Sequence, residues 1–220
     1  MRERFERLKY TFTVEGETEQ WYLLWLRDQI NQQEGRKYNV AFDVRVQQSP
    51  RKFYKSINTK TTPEVTHVCD VESNDPVHVQ KFQNILSEMA EAKKQKKIQY
   101  ELGYSNFTFE LWMVLHKRNC NGILSDRKQY LNPINQAFGE SFENLDQYKH
   151  EDNFKRCLGK LTLKDVVKAI ERADVITANN IEIGKKQIIN NRYRYFPDNP
   201  ALSIHEAIKR ILNDCGITKI

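Results

Sequence analysis

The chain has 220 residues, of which 39% are hydrophobic and 29% are charged. That balance excludes a wholly disordered protein and allows one large domain or a domain with an extension. Lysine and arginine outnumber aspartate and glutamate by 35 to 29, and the formal net charge of +6 favours polyanionic partners. No apolar run approaches the roughly 20 residues of a membrane span, and the first residues lack the apolar core of a signal peptide, so we expect a cytoplasmic protein without a membrane partner.

The first half of the chain alternates strand and helix patterns. Residues 9–14 predict a strand, and the helical spacing that follows ends near Gly35. The next segments are predicted as a strand over 39–47, a basic helix over 49–60 and a buried strand over 64–71. A helix over 75–97 and a strand over 98–102 follow. A turn is predicted at 103–106, and it leads into a helix that buries Phe107, Leu111, Val114 and Leu115. Strands that alternate with helices predict an α/β fold, with a central, mostly parallel sheet of about four strands flanked by helices.

The second half is predicted to be mainly helical. From residue 126 onward the strand pattern disappears, so we expect an α/β domain over residues 1–125 and a helical extension packed on it over 126–220. Thr162 and Ser203 each begin a capping-box pattern that marks a helix start. The polar and aromatic segment 190–200 is predicted as an ordered loop.

A short acidic run, VEGETE over residues 14–19, follows the first predicted strand. Open α/β sheets bind ligands at the carboxyl ends of their strands, and Gly16 lets the chain turn sharply there. The Glu15 carboxylate can therefore hold a divalent metal or transfer a proton. For Glu17 and Glu19 an equal alternative is that they only complement the positive end of the next helix.

A second acidic run, DVE over residues 70–72, follows the third predicted strand. In a parallel sheet it lies at the same edge as Glu15, and residues two apart on a strand point to the same side. Clustered carboxylates repel each other without a cation, so Glu15, Asp70 and Glu72 predict a site of hard oxygen ligands for Mg²⁺ or Mn²⁺. The alternative is a solvated loop, in which Asp75 caps the following helix.

Other ligand chemistries fit the sequence less well. His67, Cys69 and His78 flank the second acidic run, but their spacing matches no tetrahedral zinc motif, and the chain has no C-x-x-C pair. Neither G-x-x-x-x-G-K-[ST] nor G-x-G-x-x-G occurs, so we do not expect an ATPase. The basic segments 51–60 and 93–97 could follow a polyanion backbone or form solvated helix faces.

These motifs in combination resemble known families. VEGETE and DVE, each at the end of a predicted strand, resemble the Toprim domain, especially in nucleases of the overcoming-lysogenization-defect type. The run YSNFTFELWMVLH over residues 104–116 resembles the signature of the RloB-like family, also called AbiLii, of abortive-infection proteins. Weaker matches at residues 148–149 and 199–200 extend the resemblance over nearly the whole chain.

The resemblance implies a Toprim-like fold and Mg²⁺- or Mn²⁺-dependent cleavage of phosphodiesters in DNA or RNA. It also implies an anti-phage role beside a separately encoded ATPase. By position, Glu15 would transfer a proton or link the metal, while Asp70 and Glu72 would hold the metal against the scissile phosphate. The chain departs from the family patterns at Glu72, where Toprim domains usually have a second aspartate, and at Phe107, where the RloB-like signature usually has proline.

Three further residues, Glu19, Glu110 and Lys149, are expected to support these carboxylates without necessarily touching the metal. Lys149 could neutralise a phosphate, although an isolated lysine is more often solvated. His116 is expected to be a structural residue at a helix end.

Two other functions stay open on the sequence. One is a non-catalytic sensor or effector module that binds a partner ATPase through the helical half. The other is a Toprim-like phosphotransferase or nucleotide-processing enzyme.

Overall fold

A mostly parallel, five-stranded sheet lies at the centre of the protein. The structure, a computed structural model, describes residues 5–58, 63–120, 122 and 124–217. Its strands are β1 (Arg7–Val14), β2 (Asn39–Val46), β3 (Glu64–Asp70), β4 (Gln99–Asn106), β5 (Ile188–Asn190), β6 (Tyr193–Tyr195) and β7 (Ala201–Leu202). The central sheet has the order β2-β1-β3-β4-β7, in which β1 to β4 are parallel and β7 is antiparallel to β4, while β5 and β6 form a separate hairpin. The predicted α/β fold with a mostly parallel sheet is confirmed.

Helices cover both faces of this sheet. They are α1 (Glu17–Gln32), α2 (Pro50–Ser56), α3 (Pro76–Lys96), α4 (Glu110–Leu115), α5 (Leu131–Phe138), α6 (Leu145–Lys149), α7 (Glu151–Leu158), α8 (Leu163–Glu182) and α9 (Ile204–Asp214), with a 3₁₀ turn at Arg127–Tyr130. In the described part of the chain, no helix combines the length and the apolarity that crossing a membrane requires. The second half is mainly helical, as predicted.

Side chains that alternate along the strands build two separate cores. On β3, Val68 faces the first core, while Val65 and Cys69 face the second, as the pleat of a strand requires. The first core also takes in Ile170 of α8 and Ile211 of α9. The C-terminal helices therefore pack on one face of the sheet and share its core, although the boundary expected at residue 125 stays a prediction.

The chain after β4 differs from the prediction. Residues 103–106 do not turn; they continue β4, and the helix begins only at Glu110. Ser105 pairs with Asp70 of β3 on one side and with Leu202 of β7 on the other, so ladder hydrogen bonds outweigh the local turn preference of these residues. Gly103 allows close packing and does not form a turn: a Cβ at this position would lie 3.3 Å from Thr66 Cγ2.

Strands in the second half were also missed. β5 and β6 form a hairpin that extends into the segment predicted as a loop, and β7 adds a fifth strand to the sheet. Strands of two or three residues are too short to show an alternating pattern. The basic helix ends at Ser56 instead of Lys60, and residues 59–60 of that prediction lie outside the described residues.

The predicted helix caps are confirmed in part. Thr162 forms a capping box with Asp165. Ser203 occupies the cap position of α9 without a capping bond, and its hydroxyl donates instead to the Leu102 carbonyl at 2.7 Å. Asp75 precedes α3 as expected, but its side chain makes no capping hydrogen bond.

Candidate functional site

The ends of β1 and β3 bring two of the predicted site residues together. These strands are parallel neighbours, with Val14 opposite Val68, so the residues that follow both strands share one edge of the sheet. Glu15 Oε2 accepts a hydrogen bond from the Asp70 backbone N–H at 3.2 Å. The predicted adjacency of Glu15 and Asp70 therefore follows directly from strand pairing.

The Glu15 carboxyl lies in a nearly dry position. Its side chain is 12% exposed, and Oε1 has no hydrogen-bond partner among the described residues. The Lys81 ammonium lies 3.9 Å from Oε1. Burial raises the pKa of Glu15 to about 7, although Lys81 and the bond from Asp70 act to lower it. A carboxyl with this pKa can gain or lose a proton near neutral pH, as a general acid or base requires.

Asp70 has an even stronger tendency to hold its proton. Burial, and then the nearby carboxylates of Glu15, Glu19 and Glu110, raise its pKa well above the ordinary aspartate value. The Lys149 ammonium acts in the opposite direction. The sheet edge therefore gathers the carboxyls of Glu15, Glu19 and Glu110 in electrostatic contact with that of Asp70.

Two of these carboxyls come from helix starts. Glu19, in the first turn of α1, is 6% exposed, and its pKa is raised by burial and by Glu110. Glu110, the first residue of α4, is 1% exposed and accepts a hydrogen bond from Thr108. Lys149, at the end of α6, places its ammonium 3.1 Å from Glu110 Oε1. The structure thus brings the three predicted supporting residues, Glu19, Glu110 and Lys149, to the same edge.

The strand on which the predicted direction of Glu72 depends ends at Asp70. Glu72 lies beyond the end of β3 with a φ of 66°, so strand alternation no longer governs its direction. Its carboxylate bonds Lys81, and it lies 3.4 Å from His78 Nε2 and 3.8 Å from an Arg127 nitrogen. Partial burial acts to raise the pKa of Glu72, but the hydrogen bond from Lys81 and the charges around the carboxylate outweigh it, so the pKa is lowered. Glu72 is thus paired with a lysine that also lies near Glu15, and the charge of Glu72 acts to raise the pKa of Glu15.

The donors at this edge suit a hard divalent cation. Glu15 and Asp70 supply carboxylate oxygens with few partners, and Mg²⁺ commonly binds through one or two carboxylates while keeping water and substrate phosphates as its other ligands. Across the described residues, however, no three His, Cys, Asp or Glu side chains are grouped so that they could hold a metal. The histidine nearest in sequence before the acidic run, His67, is buried and bonds the Thr13 hydroxyl at 2.7 Å instead.

Several buried polar groups at this edge did not appear among the predicted site residues. Ser105 lies opposite Asp70 in the β3–β4 register. Among the described residues, Ser105 Oγ and the side-chain carbonyl oxygens of Asn106 and Asn199 are buried without hydrogen-bond partners. The Asn199 amide donates to the Tyr130 hydroxyl at 2.9 Å. Two features of the sequence could have indicated these groups. Ser105 and Asn106 lie in the run over residues 104–116 that resembles the RloB-like signature, and Asn199 lies in one of the weaker matches.

His116 has a structural role, as predicted, but as a neutral side chain. Its ring bonds the Tyr22 hydroxyl at 3.0 Å and the Trp112 carbonyl at 2.9 Å. Burial lowers its pKa to about 4. His116 therefore does not stabilise the C-terminal end of α4 through a positive charge.

Comparison with known proteins identifies one family. The model of the family described as RloB-like protein matches residues 10–211. This span includes both acidic runs, Glu110 and Lys149. None of the curated proteins and none of the solved structures matches the chain. The Toprim likeness expected from the acidic runs stays a prediction.

Proposed function

We propose that this chain, which belongs to the RloB-like family, is a Mg²⁺- or Mn²⁺-dependent nuclease subunit of an anti-phage abortive infection system. The observation that supports it most strongly is the adjacent pair of carboxyls, Glu15 and Asp70, at the carboxyl edge of a parallel sheet. This edge is where open α/β sheets bind ligands. The protein tolerates the repulsion of four partly or fully buried carboxyls there, and a bound cation would relieve it.

The proposed division of roles follows the contacts. Glu15 and Asp70 would hold the metal, which would supply positive charge to a phosphate oxygen and lower the pKa of bound water. Glu15, with a pKa of about 7, is suited to hold or release a proton at neutral pH. Lys81 and Lys149 place ammonium groups beside the carboxyls, where they can bind phosphate.

A second candidate is a non-catalytic sensor or effector that binds a partner ATPase. The observation that favours it is the engagement of Glu72 by Lys81, together with the lack of a three-ligand metal group within the described residues. Such a module would bind its partner equally well with or without the Glu15 carboxylate. It would also show no saturable Mg²⁺ binding.

Cleavage assays distinguish the two functions. The substrates are DNA and RNA oligonucleotides, single-stranded and duplex, with Mg²⁺ or Mn²⁺, and with and without the separately encoded ATPase. We expect Glu15→Gln and Asp70→Asn each to lower the cleavage rate at least 100-fold, because each removes a charged oxygen ligand. Glu17→Gln is the matched control, since Glu17 is an exposed acid on the same turn.

Cleavage that survives both substitutions would overturn the nuclease assignment. Calorimetric titration with Mg²⁺ alone gives a second measurement, in which wild type should bind saturably and Asp70→Asn should not. Intact ATPase binding without cleavage or Mg²⁺ binding would instead support the sensor.

A further inference from the structure

Glu15 is one of the residues that line a groove of about 860 Å³ beside the proposed site. One wall is formed by the end of β2 and the segment that leads into α2. The other wall is the first three turns of α3. Since a proposed catalytic carboxyl is part of its lining, a molecule bound in the groove would lie close to the proposed site.

Two exposed valines line this groove. Val46, the last residue of β2, is 46% exposed, and Val77, in the first turn of α3, is 77% exposed. They are two of the six large apolar side chains that are exposed in the described part of the chain. Exposed apolar groups beside a polar site suit a ligand with a flat apolar face, and every nucleobase has such a face.

Amide side chains provide the polar lining. On α3, Gln80 Nε2 donates to Asn84 Oδ1 at 2.9 Å. This bond leaves the Gln80 carbonyl oxygen and the Asn84 amino group for a ligand, which is one acceptor beside one donor. Base edges present the same combination, and Asn and Gln side chains commonly bond the edge of adenine in this way. On the opposite wall, Gln48 Nε2 donates to the Glu15 backbone carbonyl at 3.3 Å and ties that wall to the site.

Cationic groups for a phosphate are present in the groove. Lys52 lines it, as does Lys81, which also bonds Glu72, and the positive N-terminal end of α3 has no capping bond from Asp75. Two acids line the groove as well. Glu15 belongs to the proposed site, and Glu88 already accepts hydrogen bonds from Ser49 Oγ at 2.7 Å and the Arg51 backbone N–H at 3.0 Å.

We propose that this groove binds an unpaired nucleotide next to the cleaved bond, with its base against Val46 and Val77 and its edge bonded by Gln80 and Asn84. A base inside a duplex is stacked on both faces and cannot occupy the groove, so the substrate class is single-stranded nucleic acid or an unpaired region of a folded one. The inference rests on the proposed function, because the proposed cleavage site at Glu15 fixes the end of the groove at which the phosphate lies.

Binding in the absence of metal tests the groove separately from cleavage. Fluorescence anisotropy in EDTA would compare a labelled 12-nucleotide single strand with its duplex, using the full chain. We expect the single strand to bind at least tenfold more tightly than the duplex. Val77→Asp and the double variant Gln80→Ala with Asn84→Ala should each weaken single-strand binding by about tenfold, the loss expected when one base loses its apolar contacts or its edge contacts.

Val175→Asp is the matched control, because Val175 is 50% exposed on α8, outside this groove. Equal binding of duplex and single strand, wild-type affinity in both groove variants, or an equal loss in the control would overturn the inference. If Glu15→Gln leaves cleavage intact while Val77→Asp weakens single-strand binding, the proposed function fails and the groove stands. If Glu15→Gln abolishes cleavage while Val77→Asp binds the single strand as tightly as wild type does, the proposed function stands and the groove proposal fails.

Discussion

At the scale of single residues, Glu15 gives the metal-free protein a distinctive dependence on pH. Its pKa is about 7 in the folded protein, against an ordinary value of 4.5. Between these values the native state binds a proton that the unfolded state has released. The free energy of unfolding therefore decreases as pH rises through this window, and the loss is complete above pH 7.

Glu15→Gln should remove this pH-dependent decrease in the free energy of unfolding. In EDTA at pH 8 we expect the variant to have a free energy of unfolding about 2 to 3 kcal/mol higher than wild type, and the difference should shrink towards zero as pH approaches 4.5. Urea denaturation at several pH values measures it. The exposed Glu17→Gln should match wild type throughout, and a gain from Glu15→Gln that is independent of pH would contradict the titration.

The sequence allowed some site residues to be placed and not others. Glu15 and Asp70 could be predicted because parallel strands end at one edge of a sheet, whatever the details of packing. The direction of Glu72 could not, since it depends on a left-handed backbone just past the strand. Likewise, the ion pair between Glu110 and Lys149 joins residues 39 positions apart and depends on how α6 packs.

At the scale of elements, the short strand β7 is held by a side chain as well as by its backbone. Ser203 follows β7, and its hydroxyl accepts from the Tyr104 backbone N–H at 3.2 Å and donates to the Leu102 carbonyl at 2.7 Å. All three groups are buried. One hydroxyl thus continues the pairing with β4 beyond the two residues of β7.

Ser203→Ala should leave both backbone groups of β4 without partners. We expect the free energy of unfolding to decrease by about 1 to 3 kcal/mol, the usual cost of leaving buried polar groups unsatisfied. Chemical denaturation of the purified variant measures this. Ser125→Ala, at an exposed hydroxyl, should change it by less than about 0.5 kcal/mol, and an equally small effect at Ser203 would show that water replaces the hydroxyl.

Pattern length explains which elements could be predicted. β1 to β4 have seven or eight residues each, which is enough for alternation and apolar runs to appear in the sequence. β7 has only two residues, and it is a strand only because it pairs with β4. The far end of β4 is predicted as a turn because Gly103, Ser105 and Asn106 have turn preferences, which sheet pairing overrides in the structure.

At the scale of the whole molecule, the two halves of the chain depend on one core. Phe12 of β1, Ile170 of α8 and Ile211 of α9 belong to a single cluster of buried side chains. Removal of the C-terminal helices would expose this face of the sheet to water. Each large apolar side chain so exposed forfeits about 1.5 to 3 kcal/mol of burial free energy.

A fragment of residues 1–125 should therefore not fold alone. We expect it to aggregate or to lack a cooperative urea transition, whereas the full chain should unfold in one step. Circular dichroism during denaturation measures both. Co-expression with residues 126–220 should restore a soluble complex, and a fragment that melts cooperatively by itself would show that the boundary expected from the sequence separates independent domains.

The position of Lys149 has a consequence for synthesis. Glu15, Asp70 and Glu110 leave the ribosome first, the lysine that pairs with Glu110 follows 39 residues later, and β7 with Asn199 follows about 50 residues after that. A chain interrupted before residue 201 thus carries the carboxyls without β7 and without α9, which contributes Ile211 to the shared core. If the protein is a nuclease, we expect such unfinished chains not to cleave nucleic acid, because the folded site needs that core.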